Sequence, residues 1–169
     1  MRQREVLCID DDDQSLKVRK ILLETFDFRV TTASSGREGL QLLRSKKKVD
    51  AVVVDYQMPG MDGGEVARAV KDLRPAMPVL VLSALPLLPQ EAPRECIDAF
   101  LTKGGPTSKL VHEIEHMIAA APESAKERMR AVRMVGAMSG MVAEKVRGLL
   151  GKSEAQPARK VAHVPARSN

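Results

Sequence analysis

Ala51-Val52-Val53-Val54-Asp55-Tyr56-Gln57-Met58-Pro59-Gly60-Met61-Asp62-Gly63 is the stretch that decides the fold. Three valines in a row, with Ala51 before them, predict a strand buried on both faces, because β-branched side chains suit a pleated surface and nothing in the run is polar. The run ends on a lone carboxylate, and the proline and glycines that follow cannot continue a strand. Asp55 is therefore offered at a strand tip. In open parallel α/β sheets the connecting loops part at the carboxyl ends of the strands and leave a crevice for ligands. An aspartate at such a junction also caps turns, so the surroundings decide which role applies.

Three other strand tips carry chemistry. Val6-Leu7-Cys8-Ile9 runs into Asp10-Asp11-Asp12-Asp13, Val79-Leu80-Val81-Leu82 ends in Ser83, and Ala99-Phe100-Leu101-Thr102 ends in Lys103. Carboxylates this close repel one another unless a cation or water separates them. A hard ion such as Mg2+ takes one or two carboxylates, keeps several waters and accepts phosphate as its remaining partner. Taken singly, the acidic run reads as a helix cap and Lys103 as a surface lysine. Acid, acid, hydroxyl and ammonium on four strand tips together suit phosphoryl transfer, in which charge gathering on the transferred oxygens must be neutralised.

The rest of the first 121 residues alternates helix and strand signals. Ser15 to Thr25 carries Val18, Ile21 and Leu22 at the spacing of one helix face. Phe28 to Thr31 is a short strand. Ser35 and Glu38 form a capping-box signature before Leu40, Leu42 and Leu43. Lys46-Lys47-Lys48 closes that helix as a solvated end that offsets the helix dipole. Asp62-Gly63-Gly64-Glu65 opens a third helix through Val66, Ala69, Val70 and Leu73, which Pro75 and Pro78 end. Between Leu85 and Asp98, Pro86, Pro89 and Pro93 predict a helix that is short, displaced or irregular, since proline lacks a backbone donor and clashes with the preceding turn. A final helix runs from Thr107 to Ala121, with Leu110, Val111, Ile114, Met117 and Ile118 inward and His112 and His116 on an exposed polar face. Such alternation implies a parallel sheet with helices on both faces and right-handed crossovers.

On these residues, positions 3 to 121 resemble the receiver domain of bacterial response regulators, of the chemotaxis-regulator type. The resemblance implies a flavodoxin-like, doubly wound, five-stranded parallel sheet of order 2-1-3-4-5. It implies that Asp55 accepts a phosphoryl group, with Asp10, Asp11, Asp55 and the Gln57 carbonyl around Mg2+. Ser83, Ala84 and Lys103 would bind the phosphoryl oxygens, Lys103 as the catalytic lysine, and Ser83 and Phe100 would form the switch. The implied donor is a sensor histidine kinase or histidine phosphotransfer protein, and the only chemistry assisted is the protein's own phosphorylation and dephosphorylation. Two departures stand out: the prolines where the family has its fourth helix, and Gly104-Gly105-Pro106 where a cis-forming proline usually follows the lysine. Gln57 and Leu85 flank the path of attacking water in this family, and leucine there predicts slow self-hydrolysis.

At 169 residues the chain holds one domain with a core plus an appendage. Aromatic content of 2% makes that core aliphatic. Cys8 and Cys96 show neither metal-ligand nor disulfide spacing and suit a reducing cytoplasm. No apolar run is long enough to span a membrane. The net charge of +5 is uneven: residues 122 to 169 hold ten basic and four acidic residues, net +6, leaving −1 for the rest. Residues 122–150 are expected as an amphipathic helical extension, with Val132, Val135, Met138, Val142, Val146 and Leu149 on one stripe, and 151–169 as a disordered basic tail. Residues 134–150 resemble a histidine-kinase dimerisation helix with Glu144 in place of its histidine, which suggests self-association through 124–150 or docking onto a kinase. A conventional DNA-binding module is not expected, nor is specific nucleic-acid binding, since the tail lacks aromatic residues for stacking. The competing reading is a receiver-like scaffold that works without phosphorylation.

Overall fold

The computed structural model describes residues 3–46 and 48–121. The helical extension and basic tail expected over 122–150 and 151–169 lie outside the described residues, as does Lys47.

Five strands, β1 (Arg4–Ile9), β2 (Phe28–Ala33), β3 (Ala51–Asp55), β4 (Val79–Ser83) and β5 (Ala99–Thr102), form one sheet of order β2-β1-β3-β4-β5. Every neighbouring pair is parallel. This is the doubly wound order expected, with β3 at the centre. The period of two along each strand splits the core into two layers. Leu7, Ile9, Val52, Val54, Val79 and Val81 point to one face, where they meet α2 (Gly36–Ser45) and α3 (Gly63–Leu73) through Leu40, Leu43, Val66 and Val70. Val6, Cys8, Val53, Leu80, Leu82 and Leu101 point to the other. There they meet Leu16 and Leu23 of α1 (Asp13–Glu24), and Val111, Ile114 and Met117 of a helix over residues 107–121, here α4. β3 and β4 are buried along their whole length, which is why their sequences show no polar alternation.

Local chemistry starts and stops the helices. Asp62 caps α3 in a complete capping box with Glu65. At α2 the box is shifted: the Ser35 hydroxyl accepts from the Glu38 amide, while the Glu38 carboxylate reaches back to the amide and hydroxyl of Ser34. Gly63 is required by a close approach, since a Cβ there would sit 2.5 Å from the Asp55 carbonyl oxygen. The start of α3 is thereby pressed against the tip of β3.

Two local expectations are corrected. Val18, Ile21 and Leu22 do not face the core; they are 56%, 63% and 37% exposed, and α1 is seated by Leu16, Arg19 and Leu23. A buried ion pair made by Arg19 turns the helix to this face. Lys46 is not a solvated end, because its ammonium donates to the Glu5 carboxylate (3.0 Å) and the Thr31 hydroxyl (2.7 Å). Between β4 and β5 the proline-bearing segment holds no α-helix among the described residues, only a 3-10 turn, Arg94–Cys96.

Candidate functional site

Strand register brings the chemical residues together. Ile9 lies opposite Val54, Asp55 opposite Leu82, and Ser83 opposite Thr102. The residues at or just past these positions, Asp10, Asp55, Ser83 and Lys103, therefore line one edge of the sheet, at the β1/β3 switch point where ligands bind in such folds. Backbone bonds hold the tips in place: the Tyr56 amide donates to Leu82 and the Lys103 amide to Ser83, each at 2.7 Å. Gly104 takes a φ of +83°, a conformation open to glycine, as the chain turns away behind the lysine.

The four aspartates after β1 divide their work. Asp10 is fully buried: one carboxylate oxygen accepts the Asp12 amide at 3.0 Å, and the other accepts Arg19 at 3.0 Å and Lys103 at 3.3 Å. Asp11 is exposed beside it. Asp12 caps α1, accepting from the amides of Gln14 and Ser15 and from the Ser15 hydroxyl, and Asp13 stands in the first turn. The Ser15 hydroxyl bond, with the two amides, holds the Asp12 carboxyl below the usual carboxylate range.

Asp55 is 3% exposed. Its Oδ1 lies 3.0 Å from the Lys103 ammonium in an ion pair. That contact lacks hydrogen-bond alignment, so Oδ1 makes no hydrogen bond among the described residues. Burial pushes the Asp55 carboxyl up, and Asp10 adds to the rise, while Lys103 and the Gln57 backbone amide pull it down. The balance is upward.

Carboxylate oxygens of Asp10, Asp11 and Asp55 all lie within 4.8 Å of one another. Hard oxygen donors, one with no hydrogen bond and one carried by an exposed side chain open to water, suit an ion that keeps part of its hydration shell. The donor set fits Mg2+.

The remaining expected residues sit around this centre. Ser83 is buried, and its hydroxyl accepts the Leu85 amide at 3.0 Å. Ala84, Leu85 and Gln57 are exposed on the bends after β4 and β3. Phe100 lies one strand position inside Leu101, half-buried against the α2/α3 layer with Cys96 and Ile97 rather than among the carboxylates. Sequence reading missed Arg19. The spacing Leu16, Arg19, Leu23 placed a charge on the helix face of two leucines, a signal that this charge is buried with a partner.

Residues 6–115 match the response regulator receiver domain family. The transcriptional regulatory protein GlrR of Escherichia coli K12 is 33% identical over 127 residues, covering 74% of this chain and 28% of that protein. The chain thus spans just over a quarter of that relative's length. Among solved structures, a receiver domain protein from Clostridium thermocellum superposes with a TM-score of 0.61 at 29% identity, over 69% of this chain and 94% of that one. The response regulator TrrA from Thermotoga maritima, in complex with Mg2+ and BeF, shares the fold with a TM-score of 0.64 at 23% identity, over 68% and 99% of the two chains.

Proposed function

This chain belongs to the response regulator receiver domain family, and on that premise we propose that it receives a phosphoryl group on Asp55 and signals by protein contact. The observation that carries this reading is the pairing of a buried carboxylate with an ammonium 3.0 Å away, beside two more carboxylates at the neighbouring strand tip. An Asp55 oxygen attacks phosphorus, a new O–P bond forms, and the bond to the donor's leaving group breaks. The Lys103 ammonium offsets the charge on the transferred oxygens, and Ser83 and the Ala84 amide supply hydrogen bonds to them. Asp10, Asp11, Asp55 and the Gln57 carbonyl would hold Mg2+, which when bound neutralises further charge on the phosphoryl oxygens. The phosphorylated aspartate draws Ser83 inward and frees space for Phe100, shifting the population between two packings. Beyond assisting its own phosphorylation and dephosphorylation, the protein is not an enzyme.

The donor is a sensor histidine kinase or a histidine phosphotransfer protein. Support for a protein donor comes from the apolar side chains Val18, Ile21 and Leu22, exposed on α1. Val18 and Leu22 also line a groove that continues to Gly104, Pro106 and Leu110. Self-association through residues 124–150 completes the proposal. Its setting is the cytoplasm, where Cys8, unpaired and buried, stays reduced. No helix among the described residues is long and apolar enough to cross a membrane.

Incubating the full chain with a small acyl phosphate and Mg2+, followed by intact-mass measurement, tests the reading. Wild-type protein gains one phosphoryl group and Asp55→Asn gains none. An unlabelled wild type would favour the phosphorylation-independent scaffold, which draws its own support from the irregular segment between β4 and β5.

A further inference from the structure

Arg19 plays no part in the transfer described above, yet it stands against the site's most enclosed carboxylate. The residue is 7% exposed, between Leu16 and Leu23 on the face of α1 that packs on the sheet. Its Nη2 donates to Asp10 at 3.0 Å, while Nη1 is buried without a hydrogen-bond partner among the described residues. Burying a guanidinium with one arm unsatisfied costs free energy that an apolar side chain of similar length would not incur. What the position gains in return is a fixed positive charge on Asp10.

That charge alters what the acidic site offers an ion. Asp10, Asp11 and Asp55 carry three formal negative charges, and Lys103 answers one of them. Arg19 answers a second. Both Asp10 oxygens are already taken, one by the Asp12 amide and the other by Arg19 and Lys103 together. A divalent ion that binds Asp10 must share this carboxylate with the guanidinium or displace it. Displacement is sterically open, because Arg19 borders a cavity of about 630 Å³ that is also lined by Ser15, Leu101, Lys103 and Leu110.

We infer that Arg19 is a tethered counter-ion that competes with the divalent ion for Asp10, holding the metal-free site together and lowering its ion affinity. The inference rests on the reading that Asp10, Asp11 and Asp55 form the Mg2+ site. It makes Arg19 a determinant of ion affinity rather than a group that touches the phosphoryl donor.

Mn2+ is the probe, measured on the full chain by its paramagnetic resonance signal and by calorimetry. Arg19→Met fills the same space without charge. It is expected to bind Mn2+ about tenfold more tightly, the order of effect for removing a unit charge a few ångströms from the ion under partial screening. Arg19→Lys keeps the charge and stays near wild type. Saturating Mn2+ also raises the melting temperature of Arg19→Met by more than it raises that of wild type, since tighter binding to the native state stabilises it more. Arg19→Gln, neutral but able to donate to Asp10, carries the same expectation should Arg19→Met fail to fold. Neutral variants that keep the wild-type circular dichroism and bind Mn2+ no more tightly than wild type would overturn the inference. Absence of saturable Mn2+ binding by wild type and variants alike would overturn the metal reading instead.

Discussion

Asp55 is held in tension. Burial raises its carboxyl pKa, with Asp10 reinforcing the rise and Lys103 opposing it. An acid whose folded pKa lies above its unfolded value stabilises the fold while protonated, and that contribution is lost as pH rises through the folded pKa. Metal-free Asp55→Asn, which cannot ionise, should therefore melt above wild type at neutral pH, with the gap closing as pH falls from above the ordinary carboxylate range into it. Thermal melts of both proteins across that range check this, and a wild type that melts higher at neutral pH would contradict it. The neighbouring aspartates separate by function. Asp11→Ala is expected to weaken Mg2+ binding with little change in stability. Asp12→Ala, which removes the α1 cap, should lower the melting temperature and leave ion affinity nearly unchanged. Ion titrations and melts of the two variants side by side check the pair, and equal ion affinities would move the metal site along the acidic run.

At the scale of elements, α1 is where the sequence misled most. Val18, Ile21 and Leu22 match a helical period as well as Leu16, Arg19 and Leu23 do, and counting apolar residues favours the first set. The choice fell the other way because Arg19 pairs with Asp10, a contact between residues nine apart that no periodicity reveals. The exposed apolar face that results suits a partner. Ile21→Asp should accept phosphoryl groups from a small acyl phosphate at the wild-type rate but be labelled at least about tenfold more slowly by a phosphorylated kinase or phosphotransfer protein, since one charge in an apolar contact costs more than 1.4 kcal/mol. Equal loss with both donors would argue against α1 as the docking element. The segment after β4 was legible in outline, because three prolines cannot sit in a helix interior. Its Leu85, half-exposed beside Ser83, is the residue expected to exclude attacking water. Leu85→Asn should shorten the lifetime of the phosphorylated form, measured as loss of label after the donor is removed; a longer lifetime would refute that role.

For the whole molecule, the sheet was the most readable feature, since runs such as Val79 to Leu82 are too short and too apolar for anything but central strands. Strand order followed from the resemblance, and the meeting of Asp10, Asp11, Asp55 and Lys103 followed from strand order. What could not be read was side-chain pairing over long separations: Lys46 across to Glu5 and Thr31, Lys71 across to Asp98, and Arg19 into the acidic site. These contacts join elements through tertiary geometry, and no local pattern names the partner. The proposed function stands on one bond, that between phosphorus and Asp55. After incubation with a small acyl phosphate and Mg2+, borohydride reduction converts an acyl phosphate on the protein into an alcohol, which peptide mass mapping can locate. Reduction is expected at Asp55 alone, and reduction at any other carboxylate, or at none, would overturn Asp55 as the phosphoacceptor.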